Sequence, residues 1–190
     1  MPNRQENQIA ATYHVLTGAP GTGKTAILDE LDGRTTTVAE PAREILAELR
    51  RAGEAASRDL VEEMEPARFV DLLLERSIEK HQAFTGRQGA VIFDRALPDC
   101  VGYANYLGVG AGRSMRAALR YRYSGTIFVL EPWAEIYTTD DERAMTFPLT
   151  VAFHEHLVAA YRAAGYDLER VPRVSIEERA RFVENAVAGG

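Results

Sequence analysis

The sequence predicts a three-layer α/β/α sandwich built on a parallel sheet. Three observations carry this. Strand-type and helix-type segments alternate along the chain, the pattern of parallel strands joined by covering helices. Two short runs, AVIFD at 90–94 and TIFVL at 126–130, are continuously apolar, as strands buried on both faces are. Between a β-rich run and a helix-type run stands GAPGTGKT at 18–25, a glycine-rich turn of the kind that opens a helix beneath phosphate groups.

The elements follow in order. ATYHVLT at 11–17 is the first strand, and KTAILDELDG is a helix that stops at Gly33. TTTVA at 35–39 is a short β-branched strand. Pro41 then opens a helix to about Arg51, with Ile45, Leu46 and Leu49 at helical spacing. Residues 59–84 are strongly helical. Residues 97–123 are mostly helical but broken by GVGAGR, and 149–164 form a helix ending at Gly165. DLERV at 167–171 is an edge-like strand. Ser175, with Glu178 three residues on, forms a capping box for a last helix.

The chain has 190 residues, of which 46 % are hydrophobic, enough for one domain with one sizeable core over 11–190. A net charge of -6 argues against nucleic acid as a partner. The single cysteine, Cys100, allows no internal disulfide. No apolar run approaches the roughly 20 residues of a membrane span, and MPNRQENQ has no apolar signal core. Residues 1–10 read as a disordered lead-in, and the protein is expected in the cytoplasm.

GAPGTGKT carries the first chemistry. Gly18, Gly21 and Gly23 let backbone N–H groups turn inward without Cβ clashes, and Ala19, Pro20 and Thr22 complete the turn. These amides and the following helix N-terminus suit anionic oxygens. Lys24 is placed to reach β- and γ-phosphates, and Thr25 to set its hydroxyl on Mg²⁺. ATP and Mg²⁺ are therefore the expected cofactors. GVGAG at 108–112 follows no strand and reads as a loop, not a second nucleotide motif.

Phosphoryl transfer also needs an acid near the metal, a group that handles the acceptor hydroxyl, and cations for developing charge. Asp94 ends the AVIFD strand, and ligands sit at the carboxyl ends of such strands, so Asp94 is a candidate metal ligand with Arg95 beside it. Glu40 ends the TTTVA strand and is the candidate base. Its alternative is to cap the helix at Pro41. Arg43 lies one helical turn on, placed to orient an acceptor. Arg143, in TDDER, is placed to close over the phosphates from a lid spanning about 132–148.

These motifs resemble nucleoside and nucleoside monophosphate kinases. VAEPAREIL looks like the strand-end Glu-Pro segment of deoxynucleoside kinases, FDRALPD like their (Asp/Glu)-Arg-Ser segment, and TDDER like their arginine lid. The whole series, GAPGTGKT, EPARE, DRALPD, EPWAEIYTTDDER and GYDLERVP, is most similar to small bacterial AAA-family ATPase proteins related to the nicotinamide riboside kinase domain, over about residues 11–185. The resemblance implies a P-loop NTPase fold with a five-stranded parallel core. It implies Glu40 as base, Asp94 and Arg95 at metal and acceptor, and Arg143 in the lid. It also implies a nucleotide base near VPRVS at 171–175, where Arg173 is the candidate contact. Asp99 and Tyr103, with Arg43, are the candidate acceptor-side residues. The sequence departs from the kinase pattern where Ala96 replaces the serine and where the lid carries one clear arginine.

Other features read more plainly. Arg113, Arg116 and Arg120 share a helical face that either binds an anion or is solvated, and the solvated face is preferred. Tyr103, Tyr106, Tyr121 and Tyr123 either line an acceptor pocket or pack, and Trp133 offers the same choice. HEH at 154–156 lacks zinc-site spacing. The leading expectation is a small-molecule kinase that moves the γ-phosphate of ATP·Mg²⁺ onto an acceptor hydroxyl, nucleoside-like or otherwise. Its rival is a nucleotide-binding ATPase or GTPase switch. A second copy of the chain is left open as a partner.

Overall fold

Five strands form one parallel sheet in the order β2-β3-β1-β4-β5. They are β1 (Thr12–Thr17), β2 (Thr36–Val38), β3 (Ala90–Asp94), β4 (Ile127–Val129) and β5 (Glu169–Arg170). The computed structural model describes residues 11–53, 64–137 and 145–189. Seven helices lie among the described residues: α1 (Lys24–Leu31), α2 (Pro41–Ala52), α3 (Pro66–Ala83), α4 (Leu97–Tyr106), α5 (Gly112–Arg120), α6 (Phe147–Ala163) and α7 (Ile176–Ala188). The AVIFD strand stands where the sequence placed it. The edge strand is shorter than DLERV, and the helix expected over 59–84 is seen from Pro66. Residues 54–63, the lead-in 1–10, and the lid segment 138–144 with Arg143 lie outside the described residues.

Alternation along each strand divides the core in two. On one face Tyr13, Val15, Val38, Val91, Phe93 and Ile127 pack with side chains of α2 to α6, including Phe69, Leu73, Leu97, Phe153 and Leu157. On the other, Leu16, Ile92, Phe128 and Leu130 pack with Ile27 and Leu31 of α1 and Ala180 and Val183 of α7. Each fully buried Leu, Ile or Phe contributes roughly 1.5–3 kcal/mol of burial. Strand runs that are apolar at every position are what two covered faces require.

Helix starts are set locally. Ser175 Oγ accepts from Glu178 N at 3.3 Å, and Glu178 Oε2 accepts from Ser175 N at 3.1 Å, the capping box read from sequence. Glu65 precedes Pro66, and its carboxylate accepts from Ala67 N at 3.3 Å and Arg68 N at 3.0 Å. Among the described residues no helix is long and apolar enough to cross a membrane.

Because every pairing is parallel, all strand C-termini meet at one edge. Leu16 is in register with Asp94, and Val38 with Phe93. The glycine turn after β1, Glu40 after β2, and Asp94-Arg95 after β3 are thereby brought together.

Candidate active site

The turn after β1 is built by close approach. Gly18 has φ 147°, and a Cβ there would lie 2.4 Å from the Leu130 carbonyl oxygen, so no side chain fits. Leu130 N donates to Thr17 O at 2.8 Å, which draws the end of β4 against the turn. Thr22 Oγ1 donates to Ala19 O at 2.9 Å and braces the loop from within. Gly21 and Gly23 take φ 78° and 88°, so Gly23 leads into α1 in the left-handed region. Lys24 folds back on the loop, and its Nζ donates to Gly18 O at 2.8 Å and Ala19 O at 3.1 Å. Burial lowers its pKa to about 8, with Arg95 adding to the effect and Asp94, Glu40 and Asp99 opposing it. Thr25 stands half-buried in the first turn of α1.

Arg95 is the hub beside the turn. It is the one non-glycine residue with positive φ, 68°, among the described residues. Such a backbone costs on the order of 1–3 kcal/mol and persists only where surroundings fix it. Arg95 N donates to Leu16 O at 3.0 Å. Its guanidinium, 3 % exposed, donates from Nε to Glu40 Oε1 at 2.6 Å and from Nη1 to Asp99 Oδ1 at 3.1 Å. The rings of Tyr103 and Phe153 lie 5.6 and 5.8 Å from its Cζ. Burial would lower its pKa, but Tyr103, Glu40, Asp99 and Asp94 outweigh that and raise it.

Glu40 precedes Pro41 at the start of α2, yet its side chain makes no cap hydrogen bond. The carboxylate turns to Arg95 instead, and Oε2 accepts from Arg43 Nε at 3.2 Å. Burial pushes its pKa up, but Arg95 and Lys24 hold it below the ordinary value. Asp94 behaves in the opposite way. It is 5 % exposed, its Oδ1 is buried without a hydrogen-bond partner among the described residues, and burial raises its pKa to about 6 despite Lys24. Two neighbouring carboxylates are thus driven apart, one held ionised and one poised near neutrality.

Two candidates from the sequence, Asp99 and Tyr103, are buried against the Arg95 guanidinium. Asp99 is 1 % exposed and accepts from Thr17 Oγ1 at 2.7 Å, Ala96 N at 2.8 Å and Tyr161 Oη at 2.5 Å, besides Arg95. With both oxygens engaged by the protein, it holds Arg95 in place. Tyr103 packs against Phe69 and Phe153 with centroid separations of 5.4 and 4.6 Å. Arg173 lies apart, on the β4–β5 rim, where Nη2 donates to Pro132 O at 2.9 Å and lies 3.6 Å from Glu131. Arg143 is not among the described residues, but Tyr137 and Phe147 on either side of its segment meet edge-to-face with centroids 5.3 Å apart, and Tyr137 Oη donates to Met145 O.

Other readings resolve simply. Arg113 pairs with Asp71 at 2.6 Å and Glu75 at 3.1 Å on α3, and remains exposed. Tyr123 Oη accepts from Leu97 N at 3.3 Å inside the core. No cluster of three His, Cys, Asp or Glu suits a metal among the described residues. Mg²⁺ at such sites is held by one or two protein ligands with phosphates and water, so the orphaned Asp94 oxygen and the Thr25 hydroxyl fit it.

Sequence reasoning missed Arg179 on α7. It is 3 % exposed and donates from Nη2 to Thr22 O at 2.6 Å, against the outside of the glycine turn. The available signal was its spacing from Val183 on the buried face of α7.

A glycine cradle after a central strand, with acids at the adjoining strand ends, defines a P-loop NTPase. The chain belongs to the family described as an AAA domain, whose model matches residues 13–179. The fold is that of P-loop kinases. Deoxyadenosine kinase from M. mycoides, with the products dCMP and a flexible dCDP bound, aligns at TM-score 0.62 and 12 % identity, over 93 % of this chain and 98 % of its own. Thymidylate kinase from Candida albicans aligns at TM-score 0.62 and 11 % identity, over 95 % and 92 %. A search of curated proteins by sequence returns no match.

Proposed function

We propose that the protein is a P-loop kinase that moves a phosphoryl group from ATP to the hydroxyl of a nucleoside- or nucleotide-like acceptor. The observation that carries this is Glu40. A carboxylate at a helix start normally serves the helix, as Glu65 does, but Glu40 is withdrawn from capping and fixed by Arg95 and Arg43 at the ligand edge. The two kinases of like fold act on a nucleoside and a nucleotide, which supports an acceptor of that class.

The residues divide the work. The turn Gly18, Ala19, Pro20, Gly21, Thr22, Gly23 holds phosphates through its amides. Lys24 exchanges the Gly18 and Ala19 carbonyls for phosphate oxygens, and at pKa about 8 it remains mostly protonated at neutral pH. Thr25 and Asp94 are the groups that would hold Mg²⁺, which supplies charge neutralisation on the phosphates when bound. Glu40 orients the acceptor hydroxyl and takes its proton. Its lowered pKa keeps it ionised, so it is ready to orient the hydroxyl and to accept its proton during transfer. Arg95 fixes Glu40 and places positive charge beside the acceptor.

The test is to incubate the protein with ATP and Mg²⁺ against panels of nucleosides and nucleoside monophosphates, and to identify phosphorylated products by mass. A phosphorylated acceptor is expected. Steady ATP hydrolysis with no phosphorylated acceptor would overturn the reading in favour of a nucleotide switch.

A further inference from the structure

Arg179 is buried in a way that the transfer chemistry above does not use. It comes from the other side of the sheet, on the first turn of α7, where the Ser175–Glu178 capping box fixes the helix start and Arg179 N bonds to Ser175 O at 3.0 Å. Its Nη2 donates to the Thr22 carbonyl, while Nε and Nη1 are buried with no hydrogen-bond partner among the described residues. A Cβ on Gly23 would lie 2.8 Å from Nη1, so glycine is needed there for the arginine to approach as well as for φ 88°.

The consequence follows from peptide geometry. The Thr22 carbonyl and the Gly23 N–H belong to one planar trans peptide and point in opposite directions. An arginine that holds the carbonyl on the outside of the turn therefore aims the Gly23 N–H to the inside, where phosphates are expected. The same bond aligns that peptide dipole with its positive end inward, backed by a full positive charge. A buried guanidinium with a single acceptor is costly in a protein interior, and an anion in the cradle would offset that cost through the intervening peptide.

We propose that Arg179 is a positioning residue for the phosphate cradle, setting the Thr22–Gly23 peptide so that the Gly23 amide binds the polyphosphate of the nucleotide. The inference rests on the cradle as a nucleotide site and is independent of which acceptor, if any, is phosphorylated.

The test uses ADP binding by calorimetry on the full chain, with Arg179→Met and Arg179→Lys. The methionine variant should lose about 10- to 100-fold in ADP affinity, the effect of one hydrogen bond from a charged donor. The lysine variant, which keeps charge and a donor, should recover part of the loss. The amide resonance of Gly23 should shift on ADP binding in the wild type and shift less in the methionine variant, a readout that general loosening of α7 does not mimic. Unchanged ADP affinity and an unchanged Gly23 shift would overturn the proposal. So would equal losses in both variants with a matching fall in nucleotide-free stability, or a wild type that does not bind ADP. Should the methionine variant fail to fold, the lysine variant decides: a reduced Gly23 shift supports the proposal and an unchanged one overturns it. A wild type that binds ADP but phosphorylates nothing removes the kinase reading and leaves this one intact.

Discussion

Arg95 Nε lies 2.6 Å from Glu40 Oε1, and that ion pair joins two strand ends across 55 positions of chain. It holds Glu40 ionised and turns it away from the helix it begins. A residue whose helix could use it is instead held by two arginines, Arg95 and Arg43.

Replacing that carboxylate tests its role directly. Glu40→Gln should lower phosphoryl transfer about 100-fold or more, the range for loss of general-base help, while ADP affinity stays near the wild-type value. Parallel product assays and calorimetry measure the two. A switch protein would show little change in either.

Asp94 should give a pH signature in the protein without Mg²⁺. Its folded pKa of about 6 lies above the ordinary aspartate value of 3.8. Between these values the native state binds the proton more tightly than the unfolded chain, so the Asp94 contribution to stability falls as pH rises from about 4 to 6. Asp94→Asn should therefore stabilise the protein at pH 7, by up to about 3 kcal/mol, with the gain fading below about pH 4. Urea titrations across that range read the effect.

Arg95→Met should abolish most transfer at moderate cost in stability. Breaking a buried ion pair typically costs about 3–5 kcal/mol. Asp99 keeps three other donors, Thr17, Ala96 and Tyr161, so the loss should fall below that range. Equilibrium unfolding of the variant measures it.

A glycine far from the site is predicted to be equally intolerant. A Cβ at Gly125 would lie 2.6 Å from His14 Nδ1. That ring is fully buried, stacks on Phe128, and accepts from Thr126 N at 3.0 Å, so it has no room to yield. Gly125→Ala should cost about 1–3 kcal/mol through overpacking, seen as a lower urea midpoint.

Much of this was legible in the chain. AVIFD announced a central strand because only a strand covered on both faces is apolar throughout, and its terminal aspartate then had to sit at the ligand edge. The glycine turn announced itself through residue type and context together. Residue type alone shows that Asp99 is polar, not that Thr17, Ala96, Tyr161 and Arg95 already occupy its oxygens. Arg179 escaped notice for a similar reason. An arginine in a charged helical stretch, EERAR, looks solvated until the packing of α7 on α1 shows which face is inside.

The two Glu-Pro helix starts share one backbone shape, with φ and ψ of -58° and 123° at Glu40 and -56° and 125° at Glu65. Glu40 therefore carries a second resting place that it does not occupy. If its cation is removed, the carboxylate can rotate onto the first turn of α2, as Glu65 does on α3, and find donors there. The start of α2 thus keeps a capping position in reserve, so losing the Arg95–Glu40 pair need not leave that helix end without a carboxylate partner.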